Sequence, residues 1–171
     1  MTPTEVNKED VKRGMVQQRD NIVCVGLEMP DPELQTYATE QIRTFETEVA
    51  AACICEKIRD PDGGYREAVI EGMKGEDRNG VVQCVLDVIA DSTLDNREAA
   101  IRSLGTMHAP IIGPAMIAIA ENASDSSEVR AAAVYAFGRE EKNHDALVGM
   151  ASDSDPVVQA DIMRALGYQT Q

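Results

Sequence analysis

The segment EVRAAAVYAFG, residues 128–138, is one of five stretches that fall into register along the chain. Placing Arg130 over Arg97 of NREAAIRSLG brings Gly138 over Gly105, and placing it over Gln159 of VVQADIMRALG brings Gly138 over Gly167. YREAVIEGMK with Arg66 and LQTYATEQIR with Gln35 complete the set, so the marker positions 35, 66, 97, 130 and 159 are separated by 31, 31, 33 and 29 residues. A period of this size marks a supersecondary unit used repeatedly.

The columns of the repeat carry physical meaning. Three residues after each marker stand Ala38, Val69, Ala100, Ala133 and Ile162, and seven after it Ile42, Met73, Leu104, Phe137 and Leu166. Positions four apart share one helical face, so these define an apolar stripe. Six after the marker come Gln41, Gly72, Ser103, Ala136 and Ala165, small in the last four, where a neighbouring helix can approach closely. Gly105, Gly138 and Gly167 are expected to end their helices in left-handed caps. Asp31-Pro32, Asp60-Pro61 and Asp155-Pro156 supply helix starts, with Asp95 and Ser126 or Ser127 in the other copies.

A second apolar segment follows each first helix: TEVAAACICEKI, GVVQCVLDVIAD, PIIGPAMIAIAEN and HDALVGMASD. Each copy therefore reads as helix, turn, helix and polar loop. One such pair cannot bury its stripe alone, whereas stacked pairs share a continuous core. The expected fold is all-α, an α-solenoid in which antiparallel helix pairs stack into a right-handed superhelix. It forms a single domain, 1–171, with an N-terminal cap over 1–30 that includes a helix around Lys8 to Asp20. Helix-pair repeats follow over 31–60, 61–94, 95–126 and 127–154, and a C-terminal half repeat over 155–171.

Composition narrows the partners. The formal charge is -14, from 30 acidic and 16 basic residues, with no cluster of Lys and Arg to displace counterions from a phosphate backbone. Nucleic acid and anionic membrane are poor partners for such a surface. The chain opens without a secretory signal pattern, and its longest apolar stretch, residues 111–120, is about half the length that crosses a bilayer. A cytoplasmic protein is expected. Cys24, Cys53, Cys55 and Cys84 lack paired metal-site spacing and read as small buried hydrophobes of a reducing compartment. Neither a metal nor a cofactor is expected.

DSDPVVQADIMRALG, EVRAAAVYAFG and NREAAIRSLG resemble the short HEAT-like repeats of the kind found in phycobilisome lyase subunits, best over residues 95–167. The resemblance implies a protein-binding scaffold or, as the alternative, an accessory or chaperone subunit of a cofactor-attaching enzyme. Deoxyhypusine hydroxylases have similar repeats but carry paired His-Glu motifs, whereas the histidines here are His108, followed by Ala109, and His144, followed by Asp145.

Arg66, Arg97 and Arg130 could clamp an anion, but a column repeated in every unit suits packing between repeats, with pairing to loop aspartates such as Asp95 or Asp125. His144 and Asp145 point about 100° apart on a helix, a poor geometry for acid-base work. In proteins resembling this one the second helices line the concave face. Gln83, Asp87, Asp91, Glu121, Asn122, His144 and Asp145 are therefore the candidate binding residues, and the expected function is non-enzymatic binding of a protein segment carrying Lys or Arg.

Overall fold

The computed structural model describes residues 24–28, 30–45, 47–60, 66–138 and 141–169. The cap helix expected around Lys8 to Asp20 and the helix start expected at Pro61 lie outside them. Among the described residues the chain is all-helical, with packing between neighbouring helices. Its contacts divide it into two compact units, Met1–Met73 and Lys74–Gln171, a boundary that separates the two helices of the second repeat.

The first unit contains α1 (Pro32–Arg43), α2 (Glu48–Arg59) and α3 (Arg66–Gly72), each packed on the other two. Asp31 caps α1 as expected, its carboxylate accepting the N–H groups of Glu33 and Leu34 at 2.9 and 3.4 Å, and Pro32 takes the first helical position. Residues 24–28 are held against the first two helices. Leu27 is fully buried, Glu28 pairs with Lys57 at 3.6 Å, and Cys24 is joined to Cys53 by a disulfide with its Cα atoms 5.9 Å apart.

The disulfide corrects the reading of the cysteines as small buried hydrophobes, since none of the described cysteines is free and Cys24, Cys53 and Cys55 are only half-buried. Pairing across 29 residues escapes spacing rules, because only the fold brings Cys24 to α2. The argument for a reducing compartment from unpaired cysteines falls with it.

The second unit contains α4 (Asn79–Ile89), α5 (Arg97–Leu104), α6 (Ile112–Glu121), α7 (Ser127–Phe137), a 3₁₀ turn (Glu141–Asn143), α8 (His144–Met150) and α9 (Pro156–Gln169). The first helices of successive repeats pack in series, α5 on α7 and α7 on α9, and each second helix packs on the first helix that follows it: α4 on α5, α6 on α7, α8 on α9. Ala38, Val69, Ala100, Ala133 and Ile162 are buried, as are Ile42, Met73, Leu104 and Phe137, while Leu166 is half-buried. Each large aliphatic removed from water contributes about 1.5–3 kcal/mol, so this stripe is the main source of cohesion.

Three expectations about helix ends are revised. Gly105 and Gly138 cap their helices in right-handed geometry, with φ of -66° and -70°, so positive φ does not explain them. Space does: a Cβ on Gly105 would lie 2.9 Å from Cα of Ala136, and one on Gly138 would lie 2.7 Å from Cβ of Ala165. Gly72 is similar, 2.6 Å from Cβ of Thr39 on the adjacent first helix. The glycines and the small column thus meet across the interface. Gly167 ends nothing, since α9 continues to Gln169.

A further revision concerns an aspartate. Asn96, not Asp95, stands at the N-cap of α5, with a left-handed φ of 56° that Asn tolerates better than most residues. Asp60 is the C-cap of α2.

These contacts separate two glycines of the second unit by their surroundings. Gly105→Ala should cost about 1–3 kcal/mol, because the backbone of Ala136 must move. Gly149→Ala, where a Cβ meets nothing within 4 Å on the exposed side of α8, should gain about 0.5–1 kcal/mol. Chemical denaturation of the two variants checks the contrast, and equal effects would refute the packing role.

Candidate functional site

In the second unit the marker arginines are structural. Arg97 is buried and donates its Nε to the carbonyl of Ile89, the last residue of α4, at 2.6 Å, while its guanidinium pairs with Asp125 in the loop after α6. Arg130 repeats the arrangement, with Nε on the carbonyl of Ala120 at 2.8 Å and an ion pair to Asp153 in the loop after α8. Each arginine satisfies an orphan carbonyl at a helix C-terminus and ties it to the following repeat. In the first unit Arg66 donates to the carbonyls of Ile58 and Asp60 at 2.8 and 2.7 Å. Asp125 was foreseen as a partner from the sequence and Asp153 was not.

The loops carry a second periodic device. The side chain of Asp91 accepts the N–H of Thr93 at 2.9 Å, Asn122 that of Ser124 at 3.1 Å, and Asp153 that of Asp155 at 2.9 Å, three Asx turns spaced 31 residues apart. Asn122 also donates to Asp125 at 3.1 Å. Two of the candidate binding residues, Asp91 and Asn122, thus turn their side chains into their own loops.

The turns before the second helices are stitched as well. Gly75 N–H donates to the carbonyl of Thr106 at 2.8 Å and His108 N–H to that of Glu76 at 2.7 Å, so the entry to α4 lies beside the entry to α6. Gly113 at the start of α6 lies close to Asn143, the N-cap of α8, whose Oδ1 would be 3.5 Å from a Cβ there. Together with the arginine contacts at the far ends, these bring the ends of α4, α6 and α8 near one another.

Their exposed sides present the remaining candidates. Gln83 and Asp87 are exposed and hydrogen-bonded to each other at 2.9 Å, Glu121 is exposed at the end of α6, and His144 and Asp145 are exposed in the first turn of α8. The sequence reading looked only for polar residues on this face. It passed over Leu86, Ile117 and Val148, which the 31-residue spacing would have revealed.

Charge is unevenly placed within the unit, with Arg78 at the N-cap of α4 and the exposed Lys142 in the turn before α8. α4, α6 and α8 contain no Lys or Arg, whereas Arg97, Arg102, Arg130 and Arg164 all lie on first helices, paired with Asp125, Glu98, Asp153 and Asp161. Arg102 also stacks over Tyr135, 5.4 Å from the ring centroid. Elsewhere, an open hollow of about 260 Å³ between α1 and α3 is lined by Glu33, Glu67 and Glu71 with Pro32, Thr36 and Ala68. Among the described residues no three metal-ligating side chains converge, and no helix is long and apolar enough to cross a membrane.

Three carboxyls are pulled below the ordinary carboxylate range. Burial pushes Glu76 up, but the side-chain and backbone hydrogen bonds of Arg78 and its charge outweigh that. The backbone N–H of Asp155 and then Arg130 lower Asp153, and the Ser127 hydroxyl and the N–H groups of Val157 and Val158 lower Asp155. Neither a family model nor a curated protein matches this chain.

Removing Arg130 leaves Asp153 and the Ala120 carbonyl without this partner, so Arg130→Ala should destabilise by on the order of 3 kcal/mol in urea unfolding. A loss below about 0.5 kcal/mol would place the pair outside the stabilising network. Acid titration tests the depressed carboxyls. Because their folded values lie below their unfolded ones, the unfolded chain binds more protons, and their contribution is present at neutral pH and lost as pH falls through the folded values. The melting temperature should drop as pH is lowered from about 5 towards about 3, and Arg130→Ala should reduce that drop.

Proposed function

We propose that the chain is a non-enzymatic interaction scaffold, an α-solenoid of HEAT-like repeats that holds a partner polypeptide bearing Lys or Arg on the acidic face of its second helices. The uneven placement of charge carries this reading. The arginines of the first helices are engaged in ion pairs, while α4, α6 and α8 display Asp87, Glu121 and Asp145 with no cation on the same helices. A surface of one sign attracts and orients a partner of the other sign, and the attraction weakens with salt. Asp87 and Asp145 are better probes than Asp91 or Asn122, because neither holds a loop turn.

Capture of a partner from an extract of the source organism, compared between the natural chain and the Asp87→Lys/Asp145→Lys variant, tests the reading. The expected result is a bound polypeptide released by raising the salt from about 0.05 to about 0.5 M, and missing from the variant. Equal capture by both proteins would move the binding site elsewhere. A visible absorption band after co-expression with a bilin would replace this reading with that of a cofactor-handling accessory subunit.

A further inference from the structure

The approach of α4, α6 and α8 at their ends brings together more than carboxylates. Leu86, Ile117 and Val148 each stand five residues before the turn residues Asp91, Asn122 and Asp153, and so recur 31 residues apart on three successive second helices. Leu86 and Ile117 are half-buried and Val148 is 53% exposed. A surface aliphatic residue is ordinary when isolated. Three in register, on helices whose ends are brought near one another, set an apolar rung across the face. The acids lie on either side of it: Asp87 one residue after Leu86, Glu121 one turn after Ile117, and Asp145 three residues before Val148.

We infer that the partner segment is a basic amphipathic helix whose apolar stripe seats on Leu86, Ile117 and Val148 while its Lys and Arg side chains reach Asp87, Glu121 and Asp145. This rests on the acidic-face reading above and adds the partner's form to its charge. Neighbouring helices that are not tightly packed on each other stand on the order of 10 Å apart, which sets the interval of apolar side chains along the rung. A helix presents residues seven apart at about 10.5 Å on one face, a close match to the rung. The cations of such a helix flank its stripe, as the carboxylates flank the rung.

The test uses two synthetic 21-residue peptides of identical Leu and Lys composition, one with leucines on a single helical stripe and one scrambled. Binding to the full chain is measured by fluorescence anisotropy. The striped peptide should bind about tenfold more tightly than the scrambled one. Val148→Glu should weaken the striped peptide several-fold even though it adds a negative charge, and Ile117→Glu should do the same. Circular dichroism melting verifies that each variant is folded, and Val148, being exposed, keeps the test open if Ile117→Glu is not.

Equal affinity of the two peptides, or tighter binding to Val148→Glu, would overturn the rung while leaving the acidic face intact. Indifference of both peptides to Asp87→Lys/Asp145→Lys would sink the acidic face itself, and the rung with it. Failure of the striped peptide to bind the natural chain also overturns the inference.

Discussion

A buried arginine that caps the last helix of the preceding repeat and grips an aspartate in the last loop of its own is the contact on which the second unit depends. Arg97 and Arg130 each close a helix C-terminus and neutralise a loop carboxylate, so one side chain satisfies a carbonyl and an ion that would otherwise be left in a crowded junction. Buried charges are tolerated only when their hydrogen bonds are complete. The Asx turns at Asp91, Asn122 and Asp153 set the shape of the loops, and so keep the receiving aspartates within reach.

Much of the fold was legible because the repeat is written in residue sizes. The apolar columns through Val69, Ala133 and Phe137 are buried, and the small column through Ala136 meets a neighbouring helix. What misled was the glycine at the helix end, for which two physical demands share one sequence signature. A left-handed cap and a close approach both call for glycine, and only the contact between Gly105 and Ala136 separates them. The Cys24–Cys53 bond was invisible for another reason, since no local pattern records that residues 24–28 fold back onto α2.

The candidate site was legible in outline and blurred in detail. Asp87, Glu121 and Asp145 are exposed on the second helices, while Asp91 and Asn122, equally polar in sequence, are taken up by turns of their own loops. A carboxylate at the end of a helix and one on its flank look alike in a list of residues, and the backbone decides which of them faces outward. The apolar rung of Leu86, Ile117 and Val148 went unread for the opposite reason, because aliphatic residues in a helix suggest core before surface.

The arginine contacts also have a direction. Arg97 reaches an aspartate 28 residues later and Arg130 one 23 residues later, each in the last loop of its own repeat, while each takes a carbonyl from the repeat before it. Loss of material from the C-terminal end therefore takes the aspartate from the last arginine, whereas loss from the N-terminal end takes the carbonyl from the first. During synthesis each arginine emerges ahead of the aspartate that receives it, and a repeat is locked onto the one before it only when its own last loop has been made. The array is thus polar in time as well as in space, with completion passed forward from one repeat to the next.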